Sequence, residues 1–93
     1  MEENSRPLDM LNQSRNKNVM VDLKNGNQYL GKLKAFDIHI NMVLEEAEEH
    51  VLEEVEKEID GKPVRVRTGN KVLRRKMGVV FIRGDTIITI SPA

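Results

Sequence analysis

The chain has 93 residues, no cysteine and no tryptophan, and its 15 Lys plus Arg balance 15 Asp plus Glu. A disulfide framework and a thiolate metal site are excluded, and a domain this small draws its stability from burial or from association with further copies. No apolar run approaches the roughly 20 residues of a membrane helix, and Met1-Glu2-Glu3-Asn4 lacks the basic-then-apolar character of a signal peptide, so a soluble, cytoplasmic protein is expected.

Ser5-Arg6-Pro7-Leu8-Asp9-Met10-Leu11 reads as the start of a short helix. Pro7 suits the first turn, Asp9 favours the positive end of the dipole, and Leu8 and Leu11 share a face. Val19, Val21 and Leu23 alternate with Met20, Asp22 and Lys24, the period of a half-buried strand, and Asn25-Gly26 follows at once. Asn-Gly tolerates the positive φ angles of a tight turn. Gln28 to Phe36 is therefore predicted to fold back as a second strand, with Tyr29, Leu33 and Ala35 on one side and Gly31 permitting a bend. Asp37-Ile38-His39-Ile40-Asn41 interrupts the alternation, and Met42-Val43-Leu44 opens a third strand whose core-facing part is predicted to end near Ala47. Met77 to Ile82 and Thr86 to Ile90 are short, mostly apolar strands separated by Arg83-Gly84-Asp85. Their apolar residues fall on both faces, whereas one small barrel has one interior, so a neighbouring chain is expected to bury the remainder.

Charge is segregated within the neutral whole. Glu45 to Asp60 is strongly acidic with Lys57 its only base, while Lys62 to Lys76 carries Lys62, Arg65, Arg67, Lys71, Arg74, Arg75 and Lys76 and no acid. The two arms of this 48–76 segment meet at Asp60-Gly61, which suits an antiparallel hairpin with carboxylates opposite the bases; Val51, Val55, Ile59, Val64 and Val66 support it. A mobile loop is the alternative, because exposed ion pairs are worth only about 0–1 kcal/mol each. A helix is the third option, since Val51, Val55 and Ile59 recur every four residues.

Two turn clusters carry the chemistry: Asp37-x-His39-x-Asn41 and Arg83-Gly84-Asp85. Taken singly they are ordinary turn residues. Asp37 and Asn41 bond to nearby backbone in many turns, and Gly84 could simply supply an unusual φ while Arg83 pairs with Asp85. No HExxH, P-loop or ordered Ser-His-Asp set is present, and His50 inside a run of Glu reads as a solvated residue. Neither an enzyme nor a metal or cofactor site is expected.

The order and spacing of the clusters are more specific. Gly26-x-x-Tyr29-x-Gly31-x-Leu33 followed by Phe36-Asp37-x-His39-x-Asn41 resembles the first Sm motif, and Ile82-Arg83-Gly84-Asp85 before an apolar strand resembles the second. The Arg6-Pro7-Leu8-Asp9 opening and the Ser91-Pro92-Ala93 ending resemble archaeal members of the Sm-like (Lsm) family. These features span the chain apart from residues 48–76, and the resemblance implies an all-β fold, a strongly bent, five-stranded Sm-type barrel with a short N-terminal helix; the chain then reads as one domain over 1–93 with a charged insertion at about 48–76 between strands three and four. The resemblance also implies ring formation, with the fourth strand of one subunit pairing with the fifth of the next, usually as a homo-heptamer. The implied function is binding of uridine-rich single-stranded RNA at the central pore, in RNA processing or ribonucleoprotein assembly. Carried over residue by residue, the pocket consists of His39, Asn41 and Arg83, with Gly84 and Asp85 beside them.

The residue chemistry agrees with that assignment. A splayed-out base needs flat groups on its faces and hydrogen-bonding groups on its edge. With two Phe, one Tyr and no Trp in the chain, the imidazole of His39 and the guanidinium of Arg83 are the natural planes. Asn41 offers an acceptor and donors side by side, matching the N–H and adjacent carbonyl of uracil, and cytosine needs the reverse order. Uracil preference then requires the amide to be held one way round, and Asp37, which as a carboxylate only accepts, is the candidate lock. Two rivals remain: a scaffold ring that works through the charged 48–76 arm, and a monomeric barrel of SH3 or OB type.

Overall fold

The computed structural model describes residues 7–93, with side chains from Leu8 onward. The Met1 to Asn4 stretch, and Ser5 and Arg6 of the predicted helix start and opening motif, lie outside the described residues. Helix α1 covers Pro7–Gln13, and Leu8 and Leu11 are both half-buried. Five strands follow: β1 Asn18–Leu23, β2 Gln28–Phe36, β3 Met42–Ile59, β4 Lys62–Ile82 and β5 Ile87–Pro92. The last begins after a single 3-10 turn, Gly84–Thr86, so it runs slightly later than its apolar pattern predicted.

All pairings are antiparallel, and the strand order β4-β3-β2-β1-β5 leaves β4 and β5 at the edges. Val80 and Ile82 of β4 share one buried cluster with Val19 and Val21 of β1, together with Leu33, Met42, Leu44 and Ala47. A flat sheet would hold β4 and β1 roughly 14 Å apart at about 4.8 Å per strand. The sheet is therefore bent round on itself, and breaks in its ladders show where. Register slips between Leu30 and Lys32, where Glu46 of β3 takes a left-handed φ of 51°. A Cβ on Gly31 would stand 3.1 Å from the Ala47 Cα and the Glu45 carbonyl oxygen, so glycine is what lets the two backbones approach at the bend.

A second slip, between Leu33 and Ala35, corrects the predicted face of β2. Leu33 is buried but Ala35 is exposed, because the irregularity interrupts the alternation, and Phe36 packs on the core instead. The inner face also extends beyond Ala47, where it was expected to stop: Glu49 is only 3% exposed. Its carboxylate accepts a hydrogen bond from the Tyr29 hydroxyl and one from Arg75 Nε at 2.9 Å. The phenol, chiefly, and the Arg75 charge hold the Glu49 carboxyl below its usual range despite burial, while the Tyr29 hydroxyl is raised by burial and by Glu49.

The 48–76 segment forms the hairpin, not the loop or the helix. It is no separate element: β3 and β4 simply continue outward past the end of β2, whose last pair is Gln28 with His50. Asp60 and Gly61 close it with φ of 53° and 77°, the left-handed pair of a tight hairpin turn. The pairs Val51/Val72, Val55/Val66, Lys57/Val64 and Ile59/Lys62 lie on one face, and Leu52/Lys71, Glu54/Arg67 and Glu56/Arg65 on the other. One face of the arm thus carries an aliphatic stripe, and on the other Glu54 stands 3.5 Å from Arg65 and 3.7 Å from Arg67. At the arm's base Asp22 of β1 accepts from Gln28, Lys71 and Thr89, each at 2.9 Å, tying four strands together. Lys71 foremost, opposed by burial, holds the Asp22 carboxyl below its ordinary value.

Candidate functional site

The turn between β2 and β3 closes with two backbone bonds: Ile40 N–H donates to the Asp37 carbonyl at 3.0 Å, and Asp37 N–H to the Asn41 carbonyl at 3.1 Å. Asp37 also organises it through its side chain, where Oδ1 accepts the N–H groups of His39 at 2.8 Å and Asn41 at 3.1 Å. Oδ2 accepts the Asn41 amide nitrogen at 3.1 Å. The Asn41 side chain is the main reason that the Asp37 carboxyl sits below its usual pKa, with the His39 and Asn41 N–H groups adding to it.

The second turn reaches the first through Gly84. Its N–H donates to Asn41 Oδ1 at 2.8 Å, and a Cβ there would collide with the His39 carbonyl oxygen and stand 2.9 Å from the Ile40 carbonyl carbon. The reading in which Gly84 supplies an unusual φ is therefore corrected. Gly84 is absent from the residues with positive φ, and what it provides is room for one backbone to lie against another.

Asn41 is consequently gripped at both ends of its amide. Asp37 can only accept and Gly84 N–H can only donate, so both neighbours impose one orientation, and a flipped amide would set acceptor against acceptor and donor against donor. One amide hydrogen and one oxygen lone pair are engaged by the protein. Among the described residues nothing else engages the amide, which leaves one donor and one acceptor available. The Asp37 contact was foreseen from spacing; the Gly84 contact, which depends on two turns meeting, was not.

His39, Asn41, Arg83, Gly84 and Asp85 together line one cleft of about 450 Å³, so the structure brings all five predicted residues to the same place. Arg83 Nη2 lies 2.7 Å from Asp85 Oδ2. The guanidinium is 80% exposed, and a group so solvated contributes little to stability through its ion pair. His50, expected in solvent, is instead half-buried in β3 with Nε2 3.1 Å from Glu48 Oε1. It lies outside the cleft. Sequence reasoning passed over Ile40, whose φ is 63°; a β-branched residue between two site residues was the available signal.

Away from the cleft, the edges of the sheet are apolar and open. Phe81 of β4 is 78% exposed and Ile88 of β5 is 62% exposed, with Val79 also exposed. A groove of about 670 Å³ runs between α1 and β5, lined by Met10, Leu11, Ile87, Ile88 and Ile90 among others. Among the described residues no helix is long and apolar enough to cross a membrane.

Comparison with known proteins is decisive for the family. The LSM domain model matches residues 9–92. The chain belongs to the Sm-like family. It is 42% identical over 88 residues to an snRNP Sm-like protein of Archaeoglobus fulgidus, covering 95% of this chain and 91% of that one. Among solved structures it is similar to the Pyrococcus abyssi Sm protein in complex with a uridine heptamer, with a TM-score of 0.69 and 36% identity over 96% of this chain and all of that one. It is also similar to a heptameric archaeal Sm protein, with a TM-score of 0.62 and 32% identity over 90% and 96% of the two chains. The Sm-like fold accounts for the short helix, the bent sheet and the two edge strands.

Proposed function

We propose that this Sm-like chain is an RNA-binding ring protein of the cytoplasm, a binding protein and not an enzyme, which holds uridine-rich single-stranded RNA and serves RNA processing or ribonucleoprotein assembly. Rings form when the β4 edge of one copy pairs with the β5 edge of the next. Phe81 and Val79 then bury against the apolar groove between α1 and β5, which removes both open edges at once. Seven copies is the ring size that the similar archaeal structures support.

Each subunit contributes one pocket. A uracil lies between the His39 imidazole and the Arg83 guanidinium, with Asp85 bracing Arg83. The free hydrogen of the Asn41 amide donates to a uracil carbonyl, and the free lone pair of its oxygen accepts the adjacent N–H. Cytosine presents acceptor and donor in the opposite order and meets two mismatches. The observation that carries this reading is the double grip on Asn41, by Asp37 at 3.1 Å and Gly84 at 2.8 Å, inside a cleft shared with His39 and Arg83.

Arg83→Ala tests it. Oligo-uridine affinity, measured by fluorescence anisotropy, should fall by the roughly 1–3 kcal/mol per base that stacking is worth, while light scattering shows an intact ring. Full affinity in this variant would contradict the pocket.

The second reading keeps the ring and makes the 48–76 arm a working surface for protein partners. The observation favouring it is the aliphatic stripe, on which Ile59, Val64 and Val72 are exposed. RNA is the weaker occupant for the arm. Arg65, Arg67, Lys71, Arg74 and Arg75 already meet carboxylates of Glu54, Asp22 or Glu49 within 4.0 Å, so much of their charge is already met before any phosphate arrives.

A further inference from the structure

We infer that Ile40 is a positioning residue for base binding: its side chain anchors the Asp37–Asn41 turn from beneath and so fixes where the His39 imidazole stands. The inference rests on the pocket proposed above. Ile40 has φ 63°, in the left-handed region, which a branched Cβ makes costly and which Gly or Asn would occupy with far less strain. Strain of this kind persists only where the surroundings over-determine it. Here the surroundings are apolar. The side chain is half-buried and packs against the core cluster, and it shares the groove between α1 and β5 with Leu11, Ile87 and Ile90. Above it the Ile40 backbone forms part of the surface against which Gly84 lies. The turn is thus held from below by a buried side chain and from the side by the second turn.

The two neighbours of Ile40 depend on this anchor unequally. The Asn41 amide has its own restraints in Asp37 and Gly84. The His39 ring takes part in no side-chain hydrogen bond among the described residues; only its backbone N–H is tied, to Asp37. The backbone therefore sets where the His39 Cβ stands and which rotamers carry the imidazole over the cleft, and Ile40 anchors that backbone. Releasing the anchor should impair stacking before it impairs edge reading. Affinity for uridine and cytidine oligomers should fall together with their ratio preserved, the opposite signature to loss of the Asp37 restraint, which should narrow the ratio.

The test compares Ile40→Gly, Ile40→Leu and His39→Ala on hepta-uridine and hepta-cytidine, with ring mass followed by light scattering. Ile40→Gly removes both the anchor and the strain. Although Ile40 lines the groove that receives Phe81 and Val79, Leu11, Ile87, Ile88 and Ile90 of that groove remain, so the variant should keep its ring mass yet lose about tenfold or more in affinity, the scale of one lost stacking contact, with the uridine-to-cytidine ratio held. Ile40→Leu keeps an apolar anchor and should bind like the parent. Should the glycine variant fail to assemble, Ile40→Asn, which also tolerates the left-handed region, carries the same test. Parental affinity in Ile40→Gly, with His39→Ala weakened, overturns the role of Ile40 and leaves the pocket standing; parental affinity in His39→Ala overturns the pocket itself. Loss of binding that appears only together with loss of ring mass, in both the Gly and the Asn variants, also overturns the inference, in favour of a purely structural residue.

Discussion

In the paired turns, Gly84 and Asn41, 43 positions apart in sequence, share a hydrogen bond. In the outer part of the arm, Glu54 meets Arg65 and Arg67 across the strand pair that the Asp60-Gly61 turn closes. Both regions display charged and polar side chains, but they fail differently. Exposed ion pairs contribute little each, so even loss of Glu54, which both arginines share, should leave the ribbon's backbone pairing in place. The turns interlock, so that Asp37, Asn41 and Gly84 each fix the others, and removal of one releases the rest. Interlocking is what a pocket that must distinguish two similar bases requires, whereas a ladder suffices to hold a ribbon straight.

The largest expected effect strikes the interlock. Gly84→Ala forces a Cβ into the His39 carbonyl, and a backbone obstacle cannot move aside as a flexible side chain does. Urea denaturation should show a loss of about 3 kcal/mol, the upper range for overpacked sites, along with oligo-uridine binding; a variant with parental stability would mean that the turns do not touch.

A smaller effect is expected at Asp37. Asp37→Ala should leave the ring assembled and reduce the preference of the pocket for uridine over cytidine, as read from the two affinities. Protonation should act in the same direction. The Asp37 carboxyl is lowered in the folded chain by Asn41 and by the His39 and Asn41 N–H groups, so its contribution is complete above its unfolded pKa of about 3.9 and fades as pH falls from there through the folded value. Uridine preference should hold from neutral pH down through the ordinary carboxylate range and decline only below it, and since cytosine itself takes up a proton in acid, the Asp37 contribution is read as the difference from Asp37→Ala at each pH. A parent and an Asp37→Ala variant with the same preference at every pH would separate Asp37 from base choice.

The smallest effect belongs to the arm. Replacing residues 51–72 with an Asn-Gly turn should leave oligo-uridine affinity and ring mass as they are. Lost RNA binding with the ring intact would move the working surface from the cleft to the arm.

Much of this division is legible in the sequence. Period-two alternation announces β1 and β2, Asn25-Gly26 and Asp60-Gly61 announce their turns, and motif spacing gathers the five cleft residues. Local signals fail where a distant backbone intervenes. Ala35 turns outward because of a ladder irregularity, Glu49 turns inward because Tyr29 and Arg75 receive it, and Gly84 is glycine for the sake of a carbonyl in another turn. Each of these causes involves a second segment of chain, β3 for Ala35, β2 and β4 for Glu49 and the first turn for Gly84, so no local pattern carries them. Ile40 is intermediate: its identity is plain, but only the backbone angle shows that it is held there under strain.

The most direct measurement is a crystal structure of the ring soaked with oligo-uridine. The account predicts one base per subunit between the His39 ring and the Arg83 guanidinium, its edge on the Asn41 amide. Bases bound elsewhere, with those three side chains unoccupied, would contradict it.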